Sequence, residues 1–412
     1  MPLTKLQFRP GINREVTSYT NEGGWFDCDK VRFRYGFAEK IGGWQRYSSL
    51  NFLGTCRALH PWVTLSGEQY LGVGTHLKYY INEGGGYADV TPIRLTTAAG
   101  DVTFSASANT LNGNIDQNDT TITLSSTSGF PQTGLIQINA EIIRYANVSS
   151  NDLLGCERGL YSTTAANHTS GDAVTCATII VSDTNHGCNE NDFVTFSDAV
   201  TLGDQITADV LNQEYQVVFV ENLNTYYITA RTNSSISSIT VSGGLDETPV
   251  FATSSDSGNG GGSVVGAYQI NTGLDTTVVG TGWGAGPWSR GAWGSAASLL
   301  VQGNKLRIWS HDNFGEDLIY NVRDGGIYYW DKTGSSITIN RGVELSSLSG
   351  SNLAPTIAKQ VLISDRDRHV IAFGCDPETD IGTQDPLLIR FSDQENVLDW
   401  ESTATNTAVI YA

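Results

Sequence analysis

The chain has 412 residues, with 43 Asp and Glu against 24 Lys and Arg, for a net charge of −19. Its 45 glycines, single Met and 16% charged residues point away from helical bundles and coiled coils, which need helix formers. The acidic balance excludes nonspecific attachment to nucleic-acid phosphates, which needs clustered Lys and Arg. Hydrophobic residues at 39% suffice for packed cores. The length fits about two to three domains.

The charge is unevenly placed. Residues 96–261 hold 18 acidic side chains and three basic ones (Arg144, Arg158, Arg231), with no Lys. That block carries −15 of the −19, and all nine Trp lie outside it. Such a shift marks an insertion into a Trp-rich scaffold made of 1–95 and 262–412.

In chain order, residues 1–95 are expected to form an N-terminal arm and the first part of the scaffold, with a strand–turn unit at Glu68–Asn82. A first inserted β subdomain, 96–177, contains short strands at Thr121–Leu124, Ile136–Ala140 and Ile142–Tyr145, plus a Pro-containing turn at Gly129–Gly134. A second, 178–261, contains Thr178–Val181, Phe193–Phe196, Tyr215–Val220, Tyr226–Thr229 and Ser237–Val241. It ends in the Gly-rich link Asp256–Ser263. Residues 262–412 resume the scaffold with Leu306–Trp309, Gly326–Trp330, Ser336–Ile339, Val361–Ser364, His369–Phe373 and Leu387–Phe391. These runs are β-branched or aromatic and closed by turn residues, the antiparallel pattern.

The expected fold class is all-β: an irregular β-propeller scaffold with two small inserted β subdomains of barrel or sandwich type. A blade takes about 40–45 residues, so the scaffold would hold about five. Asn406–Ala412 reads as the start of another strand. The propeller is therefore expected to continue past it, or to close that strand against the first.

Met1–Gly11 has no apolar run and is not expected to be a secretory signal. No 18-residue apolar run suits a membrane helix. The six cysteines (28, 56, 156, 176, 188 and 375) are widely spaced and read as small buried hydrophobes, although Cys156 and Cys176 could meet across a hairpin.

The sequence singles out no catalytic, cofactor-binding or metal-binding residue. The six His are dispersed, and His168 and His186 read as turn-side hydrogen-bonding groups. The glycines of Gly280–Gly286 precede Pro287, not a helix, so they make no phosphate loop. Asp312–Asp317 reads as a solvated acidic turn without EF-hand spacing. The pairs Arg32/Arg34 and Arg366/Arg368, flanked by carboxylates, read as ion-pair partners. Ser392–Trp400 has a partial likeness to the Asp-box turn of sialidase propellers, but lacks its Gly and its spacing to Trp.

Several segments resemble the tail nozzle, or tail tubular, proteins of short-tailed bacteriophages. They are Phe8–Glu15, Asn21–Trp25, Glu39–Trp44, Tyr70–Tyr80, Asp89–Arg94, Gly282–Gly286, Trp309–Leu318, Tyr328–Asp331 and Ile389–Asn396. The inserted units are similar to small β modules found in many phage tail and fibre proteins. The resemblance implies an irregular β-propeller in a structural virion protein, assembled in the host cytoplasm. It implies a ring, expected to be a homohexamer, that meets tail adaptor and fibre or spike proteins. Genomic DNA would pass through its bore without specific binding. An acidic wall fits that role, because it repels a polyanion that Lys would trap. The alternatives are a glycan-cleaving propeller and a non-catalytic receptor-binding tail protein.

Overall fold

The computed structural model describes residues 8–17, 19–43, 45–232, 248–272, 308–332 and 341–411. The expected strands Ser237–Val241 and Ser336–Ile339, the Gly280–Gly286 glycines and the start of Leu306–Trp309 lie outside the described residues. The chain divides into two units, Met1–Ser49 and Leu50–Ala412.

The first unit carries one hairpin, Val31–Arg34 against Phe37–Lys40. Its two-residue turn holds Tyr35 at φ 50° and Gly36 at φ 82°, the double positive φ of a type I′ turn. Arg32 meets Glu39 across the strands at 2.5 Å, as expected of that arginine.

The second unit is all-β. Among its described residues the sole α-helix is one turn, Ala208–Leu211. Three four-stranded antiparallel sheets follow the meander order of propeller blades. The first blade is Cys56–Val63, Gln69–Thr75, Tyr79–Glu83 and Gly86–Asp89. The second is Trp309–Phe314, Asp317–Val322, Ile327–Trp330 and Val343–Glu344. The third is Gln360–Ile363, Val370–Phe373, Ile389–Phe391 and Val409–Tyr411. Val409–Tyr411, in the segment expected to start a strand, is the fourth strand of the third blade.

The blades stack face to face. Trp62, Tyr70, Tyr79 and Ile81 of the first share one core with Trp309, Leu318, Tyr320 and Trp330 of the second. Tyr79 stacks on Tyr320 at 4.6 Å, and the Trp309 indole meets it edge-on at 4.9 Å. Ile319 and Ile327, on the opposite face of the second blade, pack with Val361, Ile363, Val370 and Trp400 of the third. Gly74 is required here, because a Cβ would overlap the Trp309 ring.

Between the first and second blades the chain forms four further sheets around two cores. One core joins a sheet ordered Phe219–Asn222, Thr225–Thr229, Thr178–Ser182, Thr103–Ser105 to another ordered Glu214–Gln216, Phe193–Ser197, Val265–Gln269, Ile93–Thr96. The second core lies wholly between Leu111 and Cys176. Its sheets are Glu141–Tyr145, Gly134–Ile138, Ala173–Cys176, Ala108–Thr110 and the smaller Thr121–Thr123, Asp152–Leu154, Asn147–Ser149. Pairing therefore crosses the boundaries expected at 96, 178 and 261. The inner unit is spliced between Thr103–Ser105 and Thr178–Ser182 of the outer one.

Asn321 is fully buried in the second blade. Its amide nitrogen lies 2.9–3.1 Å from the carbonyls of Val322, Gly325, Gly326 and Ala358. It ties the turn after its own strand to the approach of the third blade. Asn321→Leu leaves those carbonyls without their donor and is expected to destabilise the fold by about 1–3 kcal/mol. The check is the chemical-denaturation midpoint at unchanged slope. A midpoint equal to wild type contradicts the stapling role.

Candidate functional site: the ionic junction between scaffold and insert

A cluster of four charged side chains joins the first blade to the inserted sheets. Lys78 sits in the turn between Gln69–Thr75 and Tyr79–Glu83. Thr75 Oγ1 shapes that turn by accepting from Lys78 N at 2.9 Å and donating to Lys78 O at 3.0 Å. This directs a Lys side chain, only 3% exposed, into the interior. Its ammonium lies 2.7 Å from Asp89 Oδ2, 2.6 Å from Glu214 Oε2 and 4.4 Å from the Phe193 ring centre. Asp89 comes from the first blade; Glu214 and Phe193 come from the insert.

Arg341 closes the cluster. Its guanidinium lies 3.3 Å from Asp89 and 3.6 Å from Glu214, and it donates to Thr91 O at 2.9 Å. Gln269 donates to Glu214 Oε1. Two cations thus face two carboxylates, with Lys78 and Glu214 buried and Asp89 and Arg341 half-buried, the balance that makes a buried charge tolerable. Burial alone would raise the Asp89 carboxyl, but Lys78 and then Arg341 outweigh it and hold Asp89 below the usual carboxylate range.

A second knot lies inside the inner unit. The Glu141 carboxylate accepts from Arg158 Nε at 2.7 Å and Nη2 at 2.8 Å, from Gly159 N at 3.1 Å and from Ala166 N at 3.0 Å. His168 Nε2 lies 2.7 Å away. Burial opposes its ionisation, yet Arg158, His168 and the backbone donors bring Glu141 down to about 2. His168 is therefore a buried partner of a carboxylate and not a turn-side group. His186 matches its expected role, since Nδ1 accepts from Cys188 N at 3.0 Å in its own turn.

The Asp312–Asp317 segment departs from the expected solvated turn. Asp312 and Asn313 lie within a strand, and the turn proper is Gly315-Glu316. Asp312 accepts from Ile363 N of the third blade at 2.8 Å. Glu316 accepts from Leu65 N at 2.7 Å and pairs with Lys332 at 3.2 Å. Asp317 accepts from the Tyr329 hydroxyl and from Lys332 N. Asp312 and Glu316 thus stitch blades together, and Asp317 braces its own blade. Arg368 stands 4.9 Å from the Phe314 ring centre, and Arg366 reaches Asp367 only at 4.0 Å. In the Ser392–Trp400 loop, Asp393 accepts from Thr407 N and Oγ1, and Trp400 is buried with its indole nitrogen donating to Val397 O. All six cysteines are free thiols, Cys156 and Cys176 included.

One pair of rings spans the seam between the first and second blades. His60 and His311 lie 4.7 Å apart, and His311 Nδ1 is hydrogen-bonded to the Tyr79 hydroxyl at 2.8 Å. Burial first, and then the neighbouring His60, push His311 down to about 4.

Among the described residues, no three or more His, Cys, Asp or Glu side chains are grouped to hold a metal ion. No described helix is long and apolar enough to cross a membrane. What the junction does chemically is fix one body to another through neutralised charge. The sequence did not reveal it, because Glu214 and Arg341 lie more than 120 residues from Lys78 and Asp89 and from each other.

No known protein family pattern matches the chain, and no curated protein matches it. Among solved structures, a similar chain is "Phage phi92 endosialidase", at 10% identity and a TM-score of 0.14, over 81% of this chain and 44% of that one. The chain thus spans less than half of that protein's length. A likeness of that degree carries no weight for fold or function.

Two measurements test the site. Lys78→Met leaves the buried Glu214 and the half-buried Asp89 facing Arg341 alone and is expected to destabilise by about 3 kcal/mol. Adding Glu214→Gln should recover part of that loss, and an additive double variant contradicts the coupling. For His311, the unfolded imidazole takes a proton near its ordinary 6.5 and the folded one only near 4. The unfolded state therefore binds more protons between those values, and stability falls as pH drops from about 6.5 to about 4, by up to about 3 kcal/mol. His311→Gln should flatten the melting-temperature slope in that window; an unchanged slope contradicts the assignment.

Proposed function

We propose that the chain is a structural protein of a bacteriophage tail, a nozzle or tail-tube subunit that assembles as a homohexameric ring and is not an enzyme. Genomic DNA is retained behind the ring and leaves through its bore. The reading rests on where the resembling segments fall. Tyr70–Tyr80 spans a strand, turn and strand of the first blade, Trp309–Leu318 and Tyr328–Asp331 belong to the second, and Ile389–Asn396 to the third. The resemblance thus follows the scaffold, while the charge shift follows the inserted sheets.

Physical chemistry supports the same reading. The insert has no Lys to trap a polyanion, and its exposed carboxylates include Asp116, Glu190, Asp198, Asp204 and Glu221. A surface of that kind turns DNA away instead of binding it by counterion release. Tail adaptor and fibre or spike proteins are the proposed neighbours, and the virion tail is the proposed location.

Electron microscopy of the purified full chain tests the proposal. Closed rings with six-fold symmetry are expected, together with duplex-DNA binding no tighter than about 10⁻⁴ M at physiological salt. Trimers that bind or cleave host polysaccharide would sink the nozzle reading and favour an adhesive or glycan-cleaving tail protein.

A further inference from the structure

The first unit has the opposite charge to the rest of the chain. Residues 1–49 carry eight basic and five acidic side chains, whereas residues 50–412 carry 16 basic and 38 acidic ones. The arm is therefore +3 and the remainder −22.

None of the described apolar side chains of the arm is buried; its buried residues are Asn21 and Ser48. Tyr19 is 94% exposed, Tyr35 88% and Phe37 77%. Trp25 covers one face of the hairpin, its ring edge-on to Phe33 at 6.0 Å. Among the arm's described residues the opposite face has no apolar cover, and a two-stranded hairpin gains stability from a surface to pack on. The turn adds a second sign of purpose. Position 35 has positive φ, where Asn, Asp or Gly is the ordinary choice, yet it holds an exposed Tyr with the Arg34 guanidinium 5.4 Å from its ring centre. The pairing register puts Arg34 and Phe37 on the same face as Arg32 and Glu39. One face and its tip thus present arginine and aromatic groups together, the chemistry enriched at protein interfaces.

We infer that this arm is an assembly device whose hairpin docks on the acidic insert of a second copy of the chain. Charge complementarity selects that occupant. The insert holds −15 without Lys and exposes Asp198, Val200, Asp204 and Asp209 within twelve residues. Arginine would pair with such carboxylates while Tyr35 and Phe37 cover apolar surface. The inference rests on the self-assembly in the proposed function, and supplies its contact.

The test uses the full chain with Phe37 replaced by photoreactive benzoylphenylalanine, mixed as light- and heavy-isotope copies. Light–heavy cross-links into residues 96–261 are expected. Cross-links confined to one copy, cross-links elsewhere on a second copy, or none at all would overturn the inference. In parallel, Arg34→Glu with Phe37→Ser should weaken self-association at least tenfold by analytical ultracentrifugation, with an unchanged melting temperature at dilutions where both chains are monomeric, because neither side chain is buried. Wild-type self-association should also weaken on going from about 0.1 to 1 M salt, where the screening length falls from about 10 to 3 Å. Wild-type rings that persist undiminished in the double variant remove the arm's role and leave the nozzle reading standing. A wild-type chain that stays monomeric removes both.

Discussion

A four-stranded sheet has two faces, and both faces of the second blade are claimed by neighbouring blades. Leu318 and Tyr320 point to the first blade, and Ile319 points to the third. The strand Asp317–Val322 is buried along nearly its whole length, so Leu318, Ile319 and Tyr320 run consecutively apolar instead of alternating with polar residues. That constraint then dictates where polar groups go. Ser310 and Asp312 accept from the backbone of Val361 and Ile363, donors on the edge strand of the third blade. Glu316 does the same for Leu65 beside the first. The middle blade thus supplies apolar contact through its faces, hydrogen bonds to the third blade's edge strand, which otherwise invites unwanted pairing, and one to a turn of the first blade.

The insert is grafted onto this stack through a paired stem. Ile93–Thr96 leaves the first blade and lies beside Val265–Gln269, where the chain returns. A two-strand stem alone would still pivot. Lys78 removes that freedom by placing one ammonium between a blade carboxylate and an insert carboxylate. Burial makes the contact directional, because each charge has few alternative partners and little water. It also makes the contact vulnerable, since loss of one charge strands the others.

Local pattern in the sequence carried the strands but not their partners. Ile136–Ala140 and Ile142–Tyr145 alternate visibly and form the hairpin Gly134–Ile138 with Glu141–Tyr145. The nesting of one inserted unit in the other left no local trace, because it depends on Thr103–Ser105 pairing with Thr178–Ser182. Asp312–Asp317 misled for a related reason. Carboxylates on a strand look like a turn until the neighbouring blade's amides are present to receive them. His168 likewise needed Glu141, 27 residues away, to become a buried partner. Lys78 was least legible of all, since a Lys next to two Tyr in a strand-like run resembles an ordinary solvated residue.

The acidity that first marked the insert divides on inspection of its surroundings. Glu141, Asp183, Asp192, Glu214 and Asp256 are buried, and most of their negative charge is spent internally. Asp256, for example, accepts from the backbone of Thr253, Asp204, Gln205 and Ile206. The outward field comes instead from loop carboxylates such as Asp116, Glu190, Asp198, Asp204, Asp209 and Glu221. That field reaches only about 8 Å at physiological salt. It therefore acts on what passes close by. Under the proposed assembly the same short-range field has two consequences of opposite sign: a polyanion sliding past is kept off the wall, and a basic aromatic hairpin from a neighbouring copy is drawn in. One composition bias, the absence of Lys from the insert, serves both.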